Sequence, residues 1–170
     1  MNVPESQGTK KIFVTVGTTQ FDELVTGVLH PDMLEIMEAK GYTHLIIQIG
    51  RGPEPQIPTS LRIQITVYQL KENISSDIKD ASLVISHAGA GSCLEVLSAH
   101  KPLIVVVNQK LMGNHQLELA EKLQSEKHVV MCYPETLKTT FADFNTSCLK
   151  TLPNNNQMAL SNYIEKLMGF

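Results

Sequence analysis

The sequence predicts an α/β protein with a Rossmann-like, doubly wound, mostly parallel sheet. Three observations lead there. Short runs of β-branched and aliphatic residues recur along the chain, stretches long enough for a crossover helix separate them, and two of the runs pass directly into glycine turns. With 170 residues, 42% hydrophobic and only 18% charged, the chain can bury the core of one ordinary domain, so residues 1–170 are expected to form a single unit.

Ile12 to Val16 is an apolar β-rich run, followed by Gly17-Thr18-Thr19 and a helical stretch from about Asp22 to Lys40, where Leu24, Val28 and Met37 form an apolar face. His44 to Ile49 reads as a second strand, broken by Gly50-Arg51-Gly52-Pro53 and the prolines at 55 and 58. Ile63, Ile65 and Val67 alternate with polar residues, as in a strand with one exposed face. Ser75 to Ala81 follows as a short polar helix, and Leu83-Val84-Ile85 as a continuous apolar run, the pattern of a strand covered on both faces. A helix from about Ser92 to Ala99, a strand from Leu103 to Val107, a helix from His115 to Ser125 and a strand from His128 to Cys132 complete the alternation. Helical segments then run to the end. Met158, Leu160, Tyr163, Ile164, Leu167, Met168 and Phe170 mark a helical tail from about residue 156, suited to packing on its own domain or on a partner.

The segment from Leu83 to Glu95 carries the most chemistry. Gly89 and Gly91 let the backbone turn and approach a ligand closely, and the helix amides that follow favour an anion such as a diphosphate. Glu95, about one turn into the helix, is a carboxylate able to accept hydrogen bonds from ribose hydroxyls. Packing needs alone also produce such a turn, and the helix dipole alone favours an acidic residue near it, so this segment leaves both readings open. The dinucleotide fingerprint G-x-G-x-x-G is incomplete because Leu94 stands at its third glycine. That weakens a nicotinamide-dependent oxidoreductase, which the fold class permits.

Ligands in open parallel sheets bind beyond the carboxyl ends of the strands, so two further loops are candidates. Gly17, Thr18 and Thr19 offer amides and hydroxyls to phosphate, or simply a turn with a threonine helix cap. Asn114 is a good N-cap, and His115 and Gln116 fall in the following first turn, where they suit sugar hydroxyls or phosphate. His87 reads either as a site residue or as a hydrogen-bonded core histidine.

Fourteen basic and seventeen acidic residues leave a net charge of −3, which gives no general footprint for nucleic acid. The start of the chain has no apolar signal region, and the longest apolar run is too short to span a bilayer, so direct membrane insertion is not expected. Cys93, Cys132 and Cys148 are few and scattered, as for structural thiols in a cytosolic protein, and Asn145-Thr146-Ser147 has no meaning as a glycosylation acceptor there. There is no Asp-x-Asp triplet to hold a divalent metal and no P-loop, so neither a metal nor another cofactor is expected.

Four ordered blocks then resemble family 28 glycosyltransferases. They are Phe13-Val14-Thr15-Val16-Gly17-Thr18-Thr19, Ile47-Gln48-Ile49-Gly50-Arg51-Gly52, Ser86-His87-Ala88-Gly89-Ala90-Gly91-Ser92 with Glu95, and Asn114-His115-Gln116-Leu117-Glu118-Leu119-Ala120. Within that family they are most similar to the small eukaryotic catalytic subunits of the UDP-N-acetylglucosamine (UDP-GlcNAc) transferase that makes dolichyl-diphosphate chitobiose. The resemblance implies the carboxy-terminal, donor-binding half of a GT-B enzyme, transferring GlcNAc from UDP-GlcNAc to GlcNAc-diphosphodolichol during lipid-linked oligosaccharide assembly for N-glycosylation. It implies that Glu95 holds the ribose, that Gly17, Thr18 and the turn of Gly89, Ala90, Gly91 and Ser92 hold the diphosphate, and that His115 and Gln116 face the diphosphate and sugar. No general base is identified. Only ten residues precede the first strand, so the acceptor half is expected from a separate membrane-anchored subunit that recruits this chain to the cytosolic face of the endoplasmic reticulum. A non-catalytic sugar-nucleotide-binding module that recruits or regulates a partner is the alternative.

Overall fold

The computed structural model describes residues 8–59, 62–110, 115–151, 162–163 and 165–166. Six strands form one sheet: β1 (Lys11–Thr15), β2 (His44–Gln48), β3 (Gln64–Tyr68), β4 (Leu83–His87), β5 (Leu103–Val106) and β6 (Val130–Cys132), in the order β3-β2-β1-β4-β5-β6. Every neighbouring pair is parallel. The helices are α1 (Asp22–Val28), α2 (Pro31–Ala39), α3 (Ser75–Asp80), α4 (Ala90–Ser98), α5 (His115–Ser125) and α6 (Leu137–Asp143).

Strand periodicity sorts the core into two layers. Ile12 and Val14 point to one face of the sheet, with Ile85 and Ile104, where α1, α2 and α6 contribute Leu24, Met33, Leu34, Met37 and Phe141. Phe13, Val84 and Val105 point to the other face, where α3, α4 and α5 contribute Ile78, Cys93, Val96, Leu119 and Leu123. Because both faces are covered, β4 is buried at every position, which is why its sequence shows no polar alternation. β3 lies at the sheet edge, which explains its mixed exposure.

The single helix expected from Asp22 to Lys40 is two helices. Proline disfavours helical geometry in the residue before it, and His30 accordingly is extended, at φ −62° and ψ 136°. Pro31 then occupies the first turn of α2, where its missing N–H costs nothing, and His30 Nδ1 accepts a hydrogen bond from the Asp32 amide at 3.2 Å. The strand expected from His128 is also shorter, since Lys127 sits at φ 62° and the ladder starts at Val130.

The sheet order reverses direction between β1 and β4, paired in register from Ile12 with Leu83 to Thr15 with Ser86. Outward crossovers leave a crevice at the carboxyl ends of those two strands. Both glycine turns open into it. Among the described residues, no helix is long and apolar enough to cross a membrane.

Candidate functional site

A cleft of about 480 Å³ occupies that switch point, within the usual range for small-molecule sites. Gly17 and Thr18 line it from the turn after β1, and His87, Gly89, Gly91, Ser92 and Glu95 from the end of β4 and the first turns of α4. Lys71, Glu72, Asn73 and Ile74, between β3 and α3, close one side, and Gln48 at the end of β2 completes the lining. A more apolar groove of about 570 Å³ lies between α1, α2 and α6, away from the glycine turns.

The β1 turn is fixed from within. Thr15 Oγ1 accepts a hydrogen bond from the Gly17 amide at 3.0 Å and donates to Gln48 Oε1, so the buried polar pair Thr15 and Gln48 pins the turn to β2. Thr19 Oγ1 donates to the Val16 carbonyl at 2.7 Å, and the Thr19 carbonyl accepts from the Arg51 amide at 3.0 Å. Thr19 is therefore turn scaffolding, and α1 begins after Phe21 with no side-chain cap.

His87 sits at the centre. It is 6% exposed, and its Nε2 lies 3.3 Å from Ser92 Oγ, while Nδ1 is buried without a hydrogen-bond partner among the described residues. Burial pushes its pKa down to about 4, so the ring is neutral at physiological pH. The ring is held between two glycines. A Cβ on Gly17, whose φ is +63°, would lie 2.7 Å from His87 Nε2, and one on Gly89 would lie 2.3 Å from Cε1. These glycines are thus demanded by the imidazole, a reason independent of any phosphate. Gly91 differs, since a Cβ there would meet nothing within 4 Å.

Gly89 is the N-cap of α4 and makes no side-chain cap bond, so the amides of the first turn remain available at the cleft. Glu95 is half-buried one turn further on, and its Oε1 accepts a hydrogen bond from Ser75 Oγ at 3.2 Å, joining α4 to the start of α3. Lys71 Nζ lies 3.0 Å from Asp77 Oδ2, which also accepts from the Tyr68 hydroxyl at 2.6 Å. Burial and this contact with Asp77 both raise the Tyr68 pKa, keeping the phenol protonated.

Of the residues expected at the site, Thr19 and Ala90 sit in its framework outside the lining. His115 and Gln116 open α5 but do not line the cleft. His115 is exposed, and the Gln116 Oε1 atom is buried with no partner among the described residues. Asn114 lies outside the described residues. Gln48, the loop of Lys71 to Ile74, and Ser75 were absent from the expected set. A glutamine ending an otherwise apolar strand was one signal, and a polar segment directly after a parallel strand was the other.

Cys93 and Cys132 are buried free thiols whose pKa values burial pushes up to about 12, while Cys148 is exposed. Among the described residues no group of three or more His, Cys, Asp or Glu side chains is placed to hold a metal.

A wholly parallel sheet of this order, with its cleft at the reversal point, defines the class: a Rossmann-like domain equivalent to the C-terminal half of a GT-B glycosyltransferase. MurG of Acinetobacter baumannii superposes with a TM-score of 0.60 over 97% of this chain and 46% of its own, at 16% identity, a likeness of fold alone.

Residues 11–167 match the glycosyltransferase family 28 C-terminal domain, and the chain belongs to that family. It is 55% identical over 126 residues to the UDP-N-acetylglucosamine transferase subunit ALG13 of Homo sapiens, covering 72% of this chain but only 11% of the human protein. The mouse relative is likewise matched over 11% of its length. The ALG13 subunit of Yarrowia lipolytica is 30% identical over 169 residues, 94% of this chain and 84% of that protein. A solution structure of ALG13 superposes with a TM-score of 0.72 at 27% identity, over 95% of this chain and 98% of the other.

Proposed function

We propose that this chain is the donor-binding catalytic subunit of an inverting N-acetylglucosaminyltransferase that moves GlcNAc from UDP-GlcNAc to GlcNAc-diphosphodolichol, the second sugar of the lipid-linked oligosaccharide. The observation that carries the reading is one cleft combining the uncapped first turn of α4, the Ser92 hydroxyl and the Glu95 carboxylate, in a chain of family 28. Amides at a helix N-terminus suit a diphosphate, and a carboxylate one turn away suits the paired hydroxyls of a ribose. The loop of Lys71 to Ile74, followed by Ser75, whose hydroxyl donates to Glu95 on α4, would form the wall beside the nucleoside.

In the displacement, the acceptor hydroxyl oxygen bonds to the anomeric carbon as the bond from that carbon to the UDP oxygen breaks. The hydroxyl proton passes to a base on the acceptor side, and the electron pair leaves with UDP. Negative charge builds on the diphosphate, where Gly17, Thr18 and the turn of Gly89, Ala90, Gly91 and Ser92 would supply donors that strengthen as it does. His115 and Gln116, at the start of α5, would face the diphosphate and sugar of the donor.

The acceptor half would come from a membrane-anchored subunit that recruits this chain to the cytosolic face of the endoplasmic reticulum, with the tail from about residue 156 as a docking element. The relatives are named as a transferase subunit, which supports a heteromeric enzyme. The test is transfer of labelled GlcNAc from UDP-GlcNAc to a short-chain lipid-diphosphate-GlcNAc acceptor, by this chain alone and with its membrane subunit. Transfer only with both supports the reading. Donor binding without transfer in either case, beside an active control pair, overturns it in favour of a non-catalytic module.

A further inference from the structure

The cleft wall between β3 and α3 rests on side chains rather than on backbone hydrogen bonds. Every residue from Gln69 to Asn73 is exposed, and among the described residues no amide from Leu70 to Ile74 donates to a backbone carbonyl. One carboxylate oxygen gathers the support. Asp77 Oδ2, in the first turn of α3, accepts from the Tyr68 hydroxyl at 2.6 Å and from Lys71 Nζ at 3.0 Å. The same ammonium lies 4.2 Å from the centre of the Tyr68 ring. We propose that Asp77 is a positioning residue for base selectivity in the donor nucleotide: it locks Lys71 against Tyr68 and so sets the loop of Lys71 to Ile74 in the form that meets the base. The proposal rests on the donor-site reading above.

Three separate points of the chain meet at this carboxylate. Tyr68 ends β3, where it pairs with Gln48 and its carbonyl accepts from the Ile49 amide at 2.9 Å, so its ring starts from a fixed backbone. Lys71 lines the cleft and Asp77 does not, so Asp77 acts on the cleft through its neighbour. The Asp77 side chain is only 16% exposed, and water therefore screens the pair less than it screens one in the open.

The other end of the loop is tied to the opposite wall. Asn73 Oδ1 accepts from the Ser75 amide at 2.8 Å, and Ser75 Oγ donates to Glu95 Oε1 at 3.2 Å. The loop is thus joined to the side of the cleft where Glu95 would hold the ribose. The base extends from the ribose, so it is the part of the donor that this loop would meet, with the diphosphate at the glycine turns. A loop ordered before the ligand arrives spares binding the entropy of ordering it, and a fixed wall discriminates between bases where a mobile one yields.

The experiment is calorimetric titration of the unaltered chain, Asp77→Asn and Tyr68→Phe with UDP-GlcNAc, UDP and CDP, at a temperature where thermal unfolding shows each protein folded. UDP and CDP differ only in the base. Asparagine keeps an acceptor for Tyr68 but loses the charge that holds Lys71, and phenylalanine keeps the ring under Lys71 but loses the hydroxyl. For Asp77→Asn, affinity for UDP and for UDP-GlcNAc should fall by the same factor, about tenfold, and affinity for CDP by less, so that the preference for UDP narrows. Tyr68→Phe should move in the same direction by a smaller factor, and it carries the test should Asp77→Asn fold poorly. A role confined to stability would lower Tm and leave the ratio of UDP to CDP affinity where it was. Unchanged UDP affinity in the folded variants overturns the proposal, as does a loss shared equally by UDP and CDP, or an unaltered chain with no preference between them. If the unaltered chain binds none of the three ligands, the donor-site reading itself fails, a result distinct from binding with an unaltered preference.

Discussion

Gly91→Ala separates a packing glycine from a ligand-facing one, because the two roles predict opposite results. Gly91 is exposed, lies in the first turn of α4 and has no atom within 4 Å of the position its Cβ would take. Alanine is preferred to glycine within a helix by roughly 0.5–1 kcal/mol, and nothing in the protein opposes the new methyl. For a domain of this size that is a rise in Tm of about 1–4 °C. A helical Cα–Cβ bond tilts toward the N-terminus, so the methyl projects to the side from which an anion would reach the first-turn amides. Displacing one amide-to-phosphate hydrogen bond, worth about 1.5–3 kcal/mol with a charged acceptor, lowers UDP-GlcNAc affinity tenfold or more. Thermal unfolding and calorimetric titration on the same preparation read both quantities. A more stable variant with unchanged affinity would refute an anion seated on the start of α4.

Glu95→Gln retains an acceptor for Ser75 but removes the charge, so UDP-GlcNAc affinity should fall by roughly tenfold to a hundredfold with little change in Tm; normal binding by the folded variant would remove Glu95 from the site. Gly17→Ala combines a positive φ, costing about 1–2 kcal/mol, with a contact at 2.7 Å from His87 Nε2, so both Tm and donor affinity should drop. The pKa of His87 near 4 in the folded chain, against about 6.5 unfolded, gives a pH dependence of known sign. Between those values the unfolded chain holds the extra proton, so stability falls as the pH is lowered, by about 3 kcal/mol at pH 4. In denaturant unfolding across that range His87→Gln should lose this part of the acid sensitivity, and an unaltered acid profile would show that the ring is not the source.

Which features were readable before folding follows from the range over which each is determined. Runs such as Ile12 to Val14 and Leu83 to Ile85 announce themselves because burial on both faces leaves no polar residue to confuse the pattern. The turn of Gly89 to Ser92 is equally local. The break at Pro31 was also written in the sequence, but the apolar spacing of Leu24, Val28 and Met37 continues across it and masks it. The clamp on His87 was out of reach, because Gly17 and His87 are neighbours only through the pairing of β1 with β4. The same holds for Ser75 with Glu95 and Thr15 with Gln48, contacts between residues 20 and 33 positions apart. Sequence motifs pointed to the turns that line the cleft, while the residues that hold those turns in place required the fold.

The cleft also fixes how labour would be divided in a two-subunit enzyme. An inverting displacement needs the attacking oxygen and the departing diphosphate on opposite sides of the anomeric carbon, so the groups serving them belong to opposite walls. On the proposed reading the donors of this chain would serve the departing side, from the cleft at the carboxyl ends of β1 and β4. Hydrogen bonds to the diphosphate exist in the ground state and strengthen as charge accumulates, so lesions at Gly91 and Ser92 should weaken donor binding and slow turnover together. A lesion in the partner's base should instead slow turnover and leave donor affinity untouched. Donor binding measured on the free chain, set against turnover measured on the complex, therefore assigns any inactivating substitution to one wall or the other. A substitution in the α4 turn that abolished turnover while donor affinity stayed unchanged would contradict this division.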